Sequence, residues 1–369
     1  MPIGIYIHIP FCKAKCLYCD FNSYSGMESW KPKYINELKK EIINIQEECE
    51  VDTLYIGGGT PTVLSAENLA EILSVIRENF VLTPHCEISV ECNPATMGKE
   101  GFTILKQAGF NRLSIGLQSA KDAELRRLGR IHTFKDFSRC FSDARNAGFE
   151  NISLDLMHGL PGQTLEGWQE TMEAALAFQP EHISCYGLKL EEGTPLFLQN
   201  PVLPDDDAAR ELYEACVSYL AAHGYYRYEI SNFALPGKES RHNCKYWRCE
   251  DFIGFGAGAY SCLHDVRYDN VRDIREYCAR LEEGKSVIAE RTPLSLEDKM
   301  SEFCFLGLRM TEGVSVKEFS QRFGKEIEEV YGDAIKKNLR RGTLLRLEDR
   351  LVIPPQWLYV SNSILVDFI

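Results

Sequence analysis

Residues 11–21 read FCKAKCLYCDF, so Cys12, Cys16 and Cys19 fall within eight positions and no fourth cysteine joins them. Thiolates are soft ligands that select zinc, copper(I) or iron–sulfur clusters. A structural zinc site wants four ligands, commonly as two well-separated CxxC-type pairs, and no companion pair follows. A redox CxxC leaves the third cysteine unexplained. A [4Fe–4S] cubane is normally held by four thiolates. Three would leave one iron open, as catalytic metal sites keep a position open for substrate.

Something must carry this loop. Short β-rich runs alternate with amphipathic stretches. The pattern predicts strands over 3–9, 53–56, 87–91, 112–116, 152–157 and 182–189, and helices over 33–46, 67–79 and 166–178. Ser65 and the acidic run at 205–207 read as helix starts. About six strand–helix repeats predict an α/β fold with a parallel sheet, either a barrel or a doubly wound sheet. Both put their chemistry at the carboxyl ends of the strands. GGGTP at 57–61, Glu91 before CNP, Gln118, and Asp155 before HGLPG all fall there. Glycines admit a close backbone approach to a ligand. An acidic residue at a strand end is by itself as compatible with solvation or helix capping.

The remaining chain narrows the class. Its 369 residues carry a net charge of −13, which argues against broad nucleic-acid binding. Residues 291–369 hold twelve basic and twelve acidic residues, so the acidity lies upstream and two units are expected. KKNLRR at 336–341 reads as a solvated helix face. The opening MPIGIYIHIP lacks the regions of a signal peptide and no apolar run is long enough to span a bilayer. The expectation is a cytoplasmic protein without an integral membrane segment. There are 14 cysteines; Cys49, Cys86, Cys92, Cys140, Cys185, Cys216, Cys262, Cys278 and Cys304 are expected as small buried hydrophobes. From residue 296 the order of three helices, a hairpin and a last helix reads as a winged-helix unit that covers or docks.

The triplet C-x3-C-x2-C with Tyr18 before its last cysteine, followed by GGGTP, resembles the signature of radical S-adenosylmethionine enzymes. The resemblance implies a partial (β/α)6 barrel with extra C-terminal elements and a small winged-helix-like α+β domain. It implies a [4Fe–4S] cluster on Cys12, Cys16 and Cys19, with the open iron chelated by the methionine moiety of S-adenosylmethionine. In that superfamily an electron from the reduced cluster cleaves the sulfonium, giving a 5′-deoxyadenosyl radical and methionine.

A narrower resemblance rests on YIHIPFC, IGGGTPT, ECNP, NRLSIGLQS, LGRIH and LDLMHGLPGQT, and extends over nearly the whole chain. These segments are similar to the oxygen-independent coproporphyrinogen III dehydrogenase group and to its relatives, the HemW family of haem chaperones. The resemblance implies S-adenosylmethionine contacts at Tyr6, Tyr18, Gly58, Gly59, Thr60, Glu91, Gln118, Arg130 and Asp155. A further contact would fall near Lys189, where the residue type departs from the dehydrogenase. The dehydrogenase has another cysteine where this chain has Phe21, and an N-terminal extension where Cys12 is already the first cysteine. Both departures favour the chaperone family over porphyrinogen decarboxylation.

RHNCKYWRCEDF at 241–252 contains H-N-x-x-Y-W, the pattern associated with haem binding in the chaperone family. It implies His242, Asn243, Tyr246 and Trp247 as haem residues. An imidazole is a standard axial ligand and aromatic rings suit a porphyrin. A histidine in an aromatic-rich segment is also often just a hydrogen-bonded, partly buried residue. Cys244 and Cys249 are further ligand candidates, and His8 reads as a packing residue. The expected division is 1–235 for the barrel, 236–290 for a connecting region bearing the motif, and 291–369 for the winged-helix-like unit. The expected partners are a haem-acceptor protein, met peripherally at the membrane during haem delivery, and an electron donor for the cluster. The alternative is a radical oxidoreductase of porphyrin biosynthesis; a radical methyltransferase or cyclase stands third. A chaperone is not required to turn over S-adenosylmethionine, so whether the protein is an enzyme stays open in the sequence.

Overall fold

The computed structural model describes all residues except 46 and 48. Each of the six predicted strands forms. They are β1 (Ile3–Ile9), β2 (Glu50–Gly58), β3 (Val81–Cys92), β4 (Arg112–Gln118), β5 (Ile152–His158) and β6 (His182–Gly187). Between them run α1 (Lys31–Asn44), α2 (Ala66–Asn79), α3 (Lys99–Ala108), α4 (Asp122–Arg127), α5 (Phe134–Asn146) and α6 (Leu165–Leu176). Residue 46, the predicted end of the first helix, lies outside the described residues. Ser65 caps α2 by accepting from the Asn68 N–H, leaving one fewer orphan donor in the first turn.

After β6 come α7 (Pro195–Leu198), α8 (Asp206–Ala222), β7 (Tyr226–Arg227), β8 (Asn232–Ala234) and α9 (Arg241–Trp247). Asp205 caps α8 through the Ala208 N–H. Then follow β9 (Phe252–Phe255), β10 (Tyr260–Leu263), β11 (Val266–Asn270), α10 (Ile274–Glu282) and β12 (Ile288–Pro293). All twelve strands join one sheet in the order β12-β11-β10-β9-β1-β2-β3-β4-β5-β6-β8-β7. The stretch from β9 through β1 to β6 is parallel, and the flanking strands are antiparallel. β1 and β6 do not pair with each other, so the curved sheet is a partial barrel with added strands at both edges.

The alternation along each strand sorts its side chains. On β4, Leu113, Ile115 and Leu117 join the core beneath the helices, while Arg112, Ser114, Gly116 and Gln118 face the hollow of the sheet. This main core runs from Ile3 to Val287. A second core runs from Met300 to Phe368. It is built by α11 (Leu296–Gly307), β13 (Val314–Ser315), α12 (Val316–Phe323), α13 (Ile327–Arg341), β14 (Leu345–Leu347), β15 (Arg350–Val352) and α14 (Asn362–Leu365). Its three strands form a separate small sheet, β13-β15-β14.

Candidate functional site

The cysteine loop leaves β1 and is tied down at several points. The Cys12 N–H donates to the Tyr24 carbonyl at 2.9 Å, and the Leu17 N–H to the Leu128 carbonyl at 3.0 Å. Lys15 Nζ donates to the carbonyls of Phe21 (2.9 Å) and Ser23 (3.1 Å), closing the loop on itself. The glycine turn is locked to the same segment: Gly59 N–H reaches the Ile9 carbonyl at 2.8 Å and Thr60 N–H the Phe11 carbonyl at 2.9 Å. Burial pushes the thiols of Cys12 and Cys19 up, which holds them protonated until a metal displaces the proton.

All three cysteines line one cavity of about 390 Å³ inside the hollow of the sheet, a volume within the range of cofactor pockets. Tyr18, Gly58, Gly59, Thr60, Glu91, Gln118, Arg130 and Asp155 line it too. Tyr6 does not. Its ring stacks against Tyr55 and His242, and its hydroxyl donates to His8 Nδ1 at 3.0 Å. His8 in turn donates from Nε2 to the Asn22 carbonyl at 2.8 Å, a packing role. Lys189 is exposed and paired with Glu191 at 2.6 Å. Phe21 stands at the cavity, 66% exposed.

The polar groups form a charged lining. Glu91 accepts from the Tyr55 hydroxyl at 2.9 Å and from the Gly58 N–H at 3.2 Å. Burial nevertheless pushes its carboxyl up to about 7, opposed by those two donors. Asp155 accepts from Ser114 at 3.1 Å, and burial raises it too. Arg130 donates from Nη1 to Cys16 Sγ at 3.4 Å, and from Nη2 to the Gly116 carbonyl at 2.7 Å and Asn93 Oδ1 at 3.1 Å. Gln118 ends β4 with φ +68°, a left-handed conformation that breaks the β4–β5 register. A non-glycine residue there costs energy, which is common at binding sites.

The residues fit a cluster and a small zwitterion. Three thiols within one loop face one cavity, with a guanidinium donating to one sulfur. The Nε of Arg130, and the Nε and Nη2 of Arg112, are buried without partners on the same cavity wall. Unpartnered buried donors call for an acceptor. Gly59 shows how closely the glycine turn meets the cysteine loop: a Cβ there would stand 2.7 Å from the Phe11 carbonyl and 3.0 Å from Cys12 Sγ.

Several lining residues were not singled out in the sequence. Tyr55, Arg112, Ser114, Ser153, His182, Ser184 and Tyr186 all face the cavity. Their signal is the period of two. On β4, β5 and β6 the polar residues at 112/114, 153/155 and 182/184 alternate with apolar ones and so fall on one face.

The four motif residues at 242–247 diverge. The helix α9 carrying them enters the hollow of the sheet, and Glu87 accepts from the backbone N–H groups of Arg241 (3.3 Å) and His242 (3.2 Å). A carboxylate there satisfies orphan donors and complements the helix dipole. His242 is 1% exposed. Its Nδ1 is hydrogen-bonded to Thr53 Oγ1 at 2.9 Å and its Nε2 to the Tyr246 hydroxyl at 2.7 Å. Burial lowers its pKa to about 3, so the ring is neutral. Ligation of an iron by His242 requires one of these bonds to break. Asn243 faces the cysteine-lined cavity. Tyr246 packs edge-on against Phe252, and Trp247 lies under Arg309 of the C-terminal unit.

A three-cysteine loop after β1, a glycine turn after β2 and an acidic pair in the hollow of a partial barrel define a radical S-adenosylmethionine protein. The radical SAM superfamily model matches residues 6–175, and the HemN C-terminal domain model matches residues 294–356. Heme chaperone HemW of Bacillus subtilis (strain 168) is 39% identical over 99% of this chain and 98% of its own. Heme chaperone HemW of Escherichia coli (strain K12) is 35% identical over 100% and 98%. The chain belongs to the HemW family. Coproporphyrinogen III oxidase (HemN) from Escherichia coli shares the fold, with TM-score 0.89 and 22% identity over 100% of this chain and 90% of that one. Superfamily membership carries with it a [4Fe–4S] cluster and S-adenosylmethionine as cofactors. Among the described residues, no helix is long and apolar enough to cross a membrane.

Proposed function

We propose that this protein is a haem chaperone that binds one haem and hands it to an acceptor protein. The observation that carries the reading is end-to-end similarity to proteins named heme chaperone HemW. Phe21 supports it, standing where the dehydrogenase group has a cysteine.

In this reading Cys12, Cys16 and Cys19 hold the cluster, and Tyr18, Gly58, Gly59, Thr60, Glu91, Gln118, Arg130 and Asp155 surround S-adenosylmethionine. Tyr6 acts from behind Tyr55. When bound, the two cofactors supply one-electron reductive chemistry. The chain's own part is to bind and orient. Arg130 offers its free Nε–H to a carboxylate while steadying the Cys16 sulfur. Glu91 and Asp155, ionised, accept from ammonium or hydroxyl donors. The glycine turn lets backbone groups approach the ligand. Haem binds at α9, whose motif residues are His242, Asn243, Tyr246 and Trp247. Residues 1–235 form the cofactor-bearing body, 236–290 the motif-bearing segment and 291–369 a docking unit. The protein acts in the cytoplasm and meets a membrane only through its acceptor, and a separate donor reduces the cluster.

The test is a haem titration of anaerobically reconstituted protein, followed at the Soret band. The expected result is saturable binding of one haem per chain. Absence of specific binding sinks the chaperone reading and returns attention to tetrapyrrole decarboxylation.

A further inference from the structure

Along β3 the side chains alternate, so Glu91 turns into the hollow and Cys92 turns toward the covering helices. There Cys92 meets Cys140 of α5, sulfur to sulfur at 3.8 Å. Both belong to the main core, and each is 3% exposed. Cys92 also borders the cysteine-lined cavity.

The two thiols are unequal. The Cys140 thiol, the hydroxyls of Thr62 and Thr96 and the Arg130 guanidinium all favour a thiolate at Cys92, and they hold it below the ordinary cysteine range against the effect of burial. The same sulfur–sulfur contact, together with burial, pushes Cys140 well up. A favoured thiolate beside a resolving thiol is the arrangement of redox-sensing cysteines. A second pair supplies a contrast. Cys185 of β6 and Cys216 of α8 stand 3.1 Å apart, but burial pushes Cys185 well up.

The first pair adjoins the cofactor site through Asn93, the next residue along the chain. Its side-chain oxygen accepts from Arg130 Nη2 at 3.1 Å, and Arg130 Nη1 donates to Cys16 Sγ at 3.4 Å. Its N–H donates to Thr62 Oγ1 at 3.4 Å, and the hydroxyls of Thr62 and Thr96 share a 2.7 Å bond. Drawing Cys92 toward α5 therefore displaces Glu91 and Asn93 together, and takes from Arg130 one of its acceptors.

We propose that Cys92 and Cys140 are a peroxide-oxidised thiol pair whose disulfide loosens the cofactor site. The Cys92 thiolate attacks a hydroperoxide, an S–O bond forms, the O–O bond breaks and hydroxide leaves, taking up the thiol proton as water. The Cys140 sulfur then attacks the sulfenic sulfur and displaces a second water. Two thiols lose two electrons and one hydrogen peroxide becomes two waters. Where disulfides are otherwise rare, such a cross-link is transient and reversed by thiol reductants. The effect on the site rests on the cofactor placement given above; the cross-link itself does not.

Full-length protein without its cluster is reduced, desalted and treated with hydrogen peroxide beside an iron chelator, and its disulfides are mapped by peptide mass spectrometry. Wild type is expected to give the Cys92–Cys140 cross-link, and Cys140→Ala a dimedone adduct at Cys92. Equilibrium dialysis then reads binding of S-adenosylhomocysteine. Peroxide is expected to weaken it roughly tenfold more in wild type than in Cys92→Ala, which keeps the three loop cysteines, and dithiothreitol is expected to restore it. A missing Cys92–Cys140 cross-link, an equally fast Cys185–Cys216 cross-link, or the same response to peroxide in wild type and Cys92→Ala overturns the proposal. Reduced wild type that binds no S-adenosylhomocysteine overturns the cofactor placement instead, and the disulfide map still decides the thiol pair.

Discussion

Tyr55 donates its phenolic proton to Glu91 Oε1 at 2.9 Å, from β2 to β3, inside the cysteine-lined cavity. The bond keeps an acceptor in place in a setting that otherwise favours the neutral acid, because burial pushes Glu91 up to about 7. S-adenosylmethionine brings donors, which favour the carboxylate. Its affinity is therefore expected to rise between about pH 6 and pH 8. Glu91→Gln is expected to flatten that rise and to weaken binding by roughly tenfold or more, the loss of a hydrogen bond to a charged group. Equilibrium dialysis of the reconstituted protein at several pH values reads both. An unchanged pH dependence in the variant removes Glu91 from the site.

Gly59→Ala tests the seam between the two loops. The added methyl meets backbone oxygen of Phe11 at 2.7 Å and of Ile9 at 3.1 Å, and neither yields without moving the cysteine loop. The expected outcome is a folded protein that retains less iron and sulfide after anaerobic reconstitution and desalting. Full cluster retention in the variant shows that the seam gives way elsewhere.

Glu41 predicts a pH dependence of stability. It is buried between α1 and the segment after β9, accepting from the Tyr277 hydroxyl at 2.5 Å, the Gly256 N–H at 2.8 Å and Asn270 at 2.6 Å. Burial pushes its carboxyl up to about 7. The folded chain therefore holds a proton that the unfolded chain has released above the ordinary glutamate pKa. The stabilisation is complete below about pH 4.5 and is lost as pH rises through about 7. The full difference is about 3 kcal/mol. Urea midpoints are expected to fall from pH 5 to pH 8, and the fall is expected to be smaller in Glu41→Gln. Parallel curves for the two proteins dismiss Glu41 as the cause.

His242→Ala tests what the motif histidine does for the fold. The change removes a buried ring stacked 5.4 Å from Tyr55 and leaves the Thr53 hydroxyl without its partner. A loss of about 2–4 kcal/mol is expected in chemical denaturation. If the imidazole were only an iron ligand, the haem-free variant would melt like wild type.

The sequence showed the six strands because each is an apolar run bounded by turn residues, and it placed Glu91, Gln118 and Asp155 at their carboxyl ends. The cysteine loop was legible because ligand spacing is local. Arg112, Ser153, His182 and Ser184 were not, because a polar residue within a strand declares its face only once the sheet's curvature is known. The strands β9 to β12 were also hidden. They are only four to six residues long, and β9 owes its place to β1, about 250 residues away. His242 illustrates a further gap. A motif identifies its residues, but helical geometry sent Asn243, Tyr246 and Trp247 to three different surfaces.

The position of β1 has a consequence for how the protein is made. This first strand lies between β2 and β9, with Ile7 paired to both Ile56 and Phe255. While the chain emerges from the ribosome, one side of β1 stays an open edge until residue 255 has been synthesised. The cysteine loop grows directly out of that edge. An anchor of the loop on that side, Asn22 donating to the carbonyls of Ala257 and Arg272, forms later still. Pairing at such separation is slow to form, so a nascent chain stalled before β9 presents thiols and an unpaired strand together, the form most exposed to oxidation and aggregation.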